Sequence, residues 1–96
     1  MRIAVINDYM RAVHSMADWS RLGSAATVDF FHDPVPDEEA LGNLLAGYDI
    51  DVTERDRTRF TRSPFTRLPR LRLLVATGPV HWAIDFDAAA ERGVTV

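Results

Sequence analysis

Apolar positions in this chain come in two rhythms. Some form short unbroken runs, and others recur every three or four residues. Ile3-Ala4-Val5-Ile6 and the Leu71, Leu73, Leu74, Val75 group are runs dense enough to be buried on both faces. That is the pattern of interior strands in a parallel sheet. Between them, Val28 and Phe30 alternate with Asp29, which predicts a half-exposed edge strand over 27–32. Asp49-Ile50-Asp51-Val52-Thr53 predicts a third strand, but a poor one. Asp51 and Thr53 put polar groups where a doubly covered strand wants apolar ones. Val94-Thr95-Val96 predicts a fifth strand after the one at Leu71.

The helical rhythm fills the gaps. Ser15 is placed to cap a helix carrying Met16, Trp19 and Leu22, closed by Gly23. After the rigid Pro34-Val35-Pro36 connector, Asp37, Glu38 and Glu39 suit the positive end of a second helix. Its apolar stripe is Ala40, Leu41, Leu44 and Leu45, and Gly47 ends it. Thr61 or Ser63 starts a brief helix around Pro64-Phe65 that Leu68-Pro69 terminates. Asp85 caps a last helix with Phe86, Ala89 and Ala90 as its buried face and Gly93 as its stop. Strict alternation of strand and helix predicts an α/β fold. The expected form is a doubly wound, parallel, five-stranded sheet in three α/β/α layers. In such sheets ligands sit beyond the carboxyl ends of the strands, which directs attention to Thr77 and Gly78 at the end of the Leu71 strand.

Composition narrows the classes. With 96 residues the chain is one domain, and 47% hydrophobic with 26% charged residues is ordinary for a globular protein. There is no cysteine, hence no disulfide framework, thiolate nucleophile or thiolate metal site. No stretch has the ~20 apolar residues of a membrane span. The first strand begins at once without a signal-peptide layout, so a cytoplasmic location is expected. His14, His32 and His81 lack short metal-ligand spacing, and no metal site is expected.

The net charge of −3 conceals an uneven distribution: all eleven basic residues are arginine, and seven of them fall between Arg55 and Arg72. Only Asp56 interrupts that segment. Such a cluster can hold an anion or track a phosphate backbone. Without an aromatic platform beyond Phe60 and Phe65, a solvated face is the expectation, and nucleic-acid binding is not. Asn7-Asp8, Asp51 and Thr77 resemble the acidic set of a phosphoacceptor receiver domain. The lysine that fold employs is missing, and Asp51 falls inside its strand.

Several segments together resemble one family. They are Met1 to Asp8, Ser15 to Leu22, Arg55-Asp56-Arg57-Thr58, Leu68 to Leu74, Ala76-Thr77-Gly78, Ile84-Asp85 and Ala90 to Val96. In order and spacing they resemble the N-terminal, substrate-binding part of the D-isomer-specific 2-hydroxyacid dehydrogenases, in the branch similar to phosphoglycerate dehydrogenase. The resemblance implies a flavodoxin-like domain that closes over a separate dinucleotide-binding domain. It also implies reduction of 2-oxo acids, or oxidation of 2-hydroxy acids, with NAD or NADP. It further implies that a loop after the fourth strand holds the substrate carboxylate on backbone amides, with an arginine after the third strand lining the cleft.

Carried over by position, that expectation makes Arg55, Thr77, Gly78, Val80 and His81 the substrate-binding residues. Val80 stands where the family often has a second glycine, Trp82-Ala83 where it often has Asp-Asn, and Pro79 removes one backbone donor. His81 can donate to a carboxylate, although a lone histidine reads first as a surface residue. There is no G-x-G-x-x-G, none of the family's catalytic residues, and no completing C-terminal helix. The expectation is therefore an incomplete substrate-binding domain over 1–96, without catalytic or cofactor-binding residues of its own, that associates as a homodimer. The alternative is a stand-alone, non-catalytic flavodoxin-like module for self-association or small-anion binding.

Overall fold

The computed structural model describes residues 1–54, 58–77 and 84–96. Strands β1 (Arg2–Val5), β2 (Thr27–Phe30), β3 (Ile50–Glu54) and β4 (Leu73–Thr77) form one parallel sheet in the order β2-β1-β3-β4. Helices α1 (Val13–Met16), α2 (Glu38–Leu45), α3 (Arg62–Thr66) and α4 (Phe86–Glu91) lie in the connections, with a 3-10 segment at Trp19–Ala25. Because every strand runs the same way, all carboxyl ends meet at one edge of the sheet.

The strand rhythm translates directly into burial. Ala4 and Ile6 of the β1 segment share a core with Leu74 of β4, Leu41 and Leu45 of α2, Phe65 of α3, and Ala88 and Ala89 of α4. Three helices thus cover one face of the sheet. The opposite face is covered mainly around β1 and β2, where the Phe30 ring meets Trp19 edge-on at 5.5 Å and His14 at 6.0 Å. Val75, which points to that face from β4, is 41% exposed. The double winding is real but lopsided.

Caps were the most legible local feature. Asp37 accepts from the Ala40 amide at 2.8 Å and Asp85 from the Ala88 amide at 3.0 Å, each closing a helix N-terminus as its side-chain chemistry predicts. Gly93 ends α4 with φ +72°, a conformation that favours glycine. Thr61 precedes α3, as expected, with Pro64 and Phe65 buried.

Three expectations are corrected. The fifth strand is a single parallel bridge between Leu73 and Thr95, so the sheet has four strands among the described residues. Pairing runs only through Thr95, whose amide donates to Arg72 and whose carbonyl accepts from Leu74. Ser15 caps nothing: it lies inside α1 with its hydroxyl on the Ala12 carbonyl, and Met16 and Leu22 are exposed. The chain breaks into a one-turn helix and a 3-10 segment, with Gly23 at φ +59°, so Met16, Trp19 and Leu22 share no single helical face. In α4 the buried pair is Ala88 and Ala89, whereas Phe86 and Ala90 face solvent.

Candidate functional site at the carboxyl edge of the sheet

The register between β3 and β4 runs from Ile50–Leu73 to Glu54–Thr77. Thr77 is therefore half-buried at the end of β4, beside the last residue of β3. Arg55 and Gly78 are the next residues of the two segments in sequence. Arg55, Gly78, Val80 and His81 lie outside the described residues. The two strands that carry the expected substrate residues are neighbours, with their carboxyl ends level.

Beside them, β1 ends in a compact polar turn. Asn7 is fully buried and has φ +62°, in the left-handed region that asparagine tolerates better than most residues. Its amide nitrogen donates to Thr58 Oγ1 at 2.5 Å and, more weakly, to Thr53 Oγ1 at 3.5 Å, while Tyr9 donates its hydroxyl to Asn7 Oδ1 at 3.3 Å. This carboxamide joins the ends of β1 and β3 to the segment that follows β3. The neighbouring Asp8 carboxylate is also buried and accepts from the Ala12 and Val13 amides at 2.9 and 3.2 Å. His32 lies against it, with Nδ1 3.2 Å from the Asp8 carbonyl and 3.6 Å from Oδ2. The sequence marked Asn7-Asp8 through its likeness to a receiver domain's acidic set. The partner Thr58 lies 51 residues away, and no local signal pointed to it.

The carboxylates at the helix starts limit what this edge can bind. Asp37 and Asp85 each accept from one amide at the beginnings of α2 and α4, and Asp8 from two at the beginning of α1. A pyrophosphate needs such amides and would meet a carboxylate instead. Asp51 cannot serve as a phosphoacceptor at this edge, because it is the second residue of β3 and wholly buried. Among the described residues no three histidine or acidic side chains cluster closely enough to hold a metal ion.

A concavity of about 310 Å³ opens next to this turn, lined by Thr58, Arg59, Thr61, Glu38, Leu41 and Pro64 among others. Its charged wall is largely engaged. Glu38 accepts from Ser63 Oγ and from Arg67 Nε, both at 2.9 Å, and the Ser63 bond first, then Arg67, holds its carboxyl below the usual value. Two further arginines of the segment are paired: Arg62 with Glu91, and Arg70 with Asp49 at 3.3 Å. Asp49 also accepts from the Arg2 amide, the main reason its carboxyl is held low. Acidic residues from α2, α4 and the position before β3 thus pair with three arginines of the segment.

Comparison with solved structures places this fold. A phosphoglycerate oxidoreductase from Vibrio cholerae o395 matches with a TM-score of 0.86 and 33% identity, over 99% of this chain and 30% of that one. A protein assigned as a D-3-phosphoglycerate dehydrogenase oxidoreductase from Ralstonia solanacearum matches with 0.84 and 34%, over 97% of this chain and 28% of that one. An acyclic imino acid reductase in complex with NADPH and D-arginine shares the fold at 0.76 and 22%, over 98% of this chain and 29% of that one. No family model and no curated protein matches the sequence. The chain spans about 30% of the length of the solved structures it matches. In fold, and at a third of its positions, it is similar to the N-terminal part of the D-3-phosphoglycerate dehydrogenase-like D-2-hydroxyacid dehydrogenases.

Proposed function

We propose that this chain is the substrate-binding part of an NAD(P)-dependent D-2-hydroxyacid dehydrogenase and is not catalytic by itself. The observation that supports the reading is the level ending of β3 and β4 at the Glu54–Thr77 pair, the two residues that directly precede Arg55 and Gly78 in sequence. A small 2-oxo or 2-hydroxy acid would lie there with its carboxylate in a bidentate pair with Arg55 and on backbone amides at Thr77, Gly78 and Val80. His81 would add a donor, and Pro79 none.

The nicotinamide cofactor would supply hydride chemistry from a part of the enzyme other than these residues. The sequence has no glycine-rich phosphate loop, and the capped helix starts do not fit a dinucleotide. No helix among the described residues is long and apolar enough to cross a membrane. A cytoplasmic enzyme is the setting we infer. Chemical-shift mapping with pyruvate tests the assignment. Shifts centred on Arg55 and residues 77–81 are expected, and shifts centred on residues 62–70 would overturn it.

A second reading, self-association as a homodimer, is favoured by one observation. Val75, Phe86 and Val96 are 41%, 50% and 41% exposed and line one shallow groove along β4. Exposed apolar surface of this kind suits a symmetric interface.

A further inference from the structure

We propose that Asn7 is a positioning residue for the substrate edge, acting through Thr58. The inference rests on the substrate reading above and names a residue which that reading does not use.

Three features single Asn7 out. It is fully buried, yet it sits at the carboxyl end of β1, where the chain turns away from the sheet. Its left-handed backbone suits asparagine or glycine and penalises most other residues. Its carboxamide both donates twice, to Thr58 and Thr53, and accepts once, from Tyr9. Among side chains that tolerate this turn, glycine has no such group. Aspartate would bring only acceptors, and a buried charge.

The tether reaches further than one bond. Thr58 is followed after Arg59 by Phe60, which is wholly buried and bridges to Ile84 in parallel. The Phe60 carbonyl also accepts the Asp85 amide at 2.9 Å, at the cap of α4. Thr58 and Phe60 therefore stand immediately after residues 55–57, and Ile84 and Asp85 immediately after residues 78–83. Asn7 fixes the first anchor to the end of β1, and Phe60 links it to the second. The described residues that follow both proposed substrate segments in sequence are thus anchors connected to one carboxamide.

The test separates the tether from the substrate reading. Trypsin cleavage at Arg59–Phe60 is followed by mass spectrometry in the full chain, since cutting there requires the Phe60 anchor to open. Asn7→Gly keeps the turn and removes the carboxamide. Thr58→Val keeps the shape and removes the hydroxyl. Thr58→Val is expected to speed cleavage by about tenfold, the worth of one net hydrogen bond. Asn7→Gly is expected to speed it by at least as much, because it also loses the Thr53 and Tyr9 bonds, and the double variant by no more than Asn7→Gly alone. Thr58→Ser, which restores the hydroxyl, is expected to cleave like the parent. Cleavage unchanged in Asn7→Gly, additive effects in the double variant, or no rescue by serine would overturn the tether. The pyruvate dissociation constant is then measured on the same set. A rise of about tenfold in Asn7→Gly and Thr58→Val, absent in Thr58→Ser, is expected. Unchanged affinity in both variants would overturn the positioning role. If the parent chain binds no pyruvate, the substrate reading fails, the positioning role fails with it, and the protease result decides the tether alone.

Discussion

Asp51 stands directly between Ala4 of β1 and Leu74 of β4 in the sheet register, on the face that carries the main core. All three residues are fully buried, and neither Asp51 carboxylate oxygen has a hydrogen-bond partner. Burial pushes the carboxyl well above its ordinary 3.8, and the Val52 amide opposes this to a smaller extent. An unpaired buried carboxylate is costly.

A group whose folded pKa is raised favours the fold below its unfolded pKa and loses that advantage as pH rises through the folded value. Asp51 should therefore weaken the fold progressively as pH rises above about 3.8. We expect Asp51→Val to raise stability by about 1 kcal/mol at neutral pH. The gain should shrink toward pH 4. Melting temperatures measured across that range check both the sign and the trend. A variant that melts lower than the parent at neutral pH would show that the carboxylate has a stabilising role.

The arginines are expected to differ sharply in their effect on ligand binding. Arg67 is engaged by Glu38 on the α2–α3 surface, whereas Arg55 directly follows Glu54, the end of β3 that lies level with the end of β4. Arg55→Ala should weaken pyruvate binding by about tenfold or more, the loss of a charge-assisted pair. Arg67→Ala should leave it within about twofold, as removal of an exposed ion pair does. Titrations followed by chemical shift give both constants.

Val75 projects from β4 into solvent on the thinly covered face of the sheet. If the homodimer forms there, Val75→Lys should lower the mass measured by light scattering at high micromolar concentration from that of a dimer to that of a monomer. A parent chain that is already monomeric under those conditions would eliminate the dimer.

NADH should produce no heat of binding in titration calorimetry with these 96 residues. The sequence has no glycine-rich phosphate loop, and the carboxylates of Asp8, Asp37 and Asp85 put negative charge at the starts of α1, α2 and α4, where a pyrophosphate would be repelled. Micromolar affinity would contradict this.

What the sequence determined by itself was everything governed by neighbours along the chain. The unbroken run at Ile3 to Ile6 specified the buried strand β1, and alternation at Val28 to Phe30 specified the edge strand β2. The run at Leu71 to Val75, read as an interior strand, instead forms the outer strand β4 among the described residues, with Val75 exposed on one face. Asp37 and Asp85 specified their helix starts because a cap bonds amides only three residues away. The end of the Leu71 strand at Thr77 was legible in the sequence, whereas its register beside Glu54 came only with the sheet. Tertiary structure decided what depends on partners far along the chain. No local pattern says that Arg62 will find Glu91, that Arg67 will find Glu38, or that Asn7 will reach Thr58. It also decided which apolar residues stay outside. Met16, Leu22 and Phe86 satisfy a helical stripe on paper, but 3-10 geometry and a one-turn helix send the first two to solvent, and the packing of α4 on Ala88 and Ala89 exposes the third. The physical reason is that periodicity defines a face, whereas burial depends on what the rest of the fold brings against it.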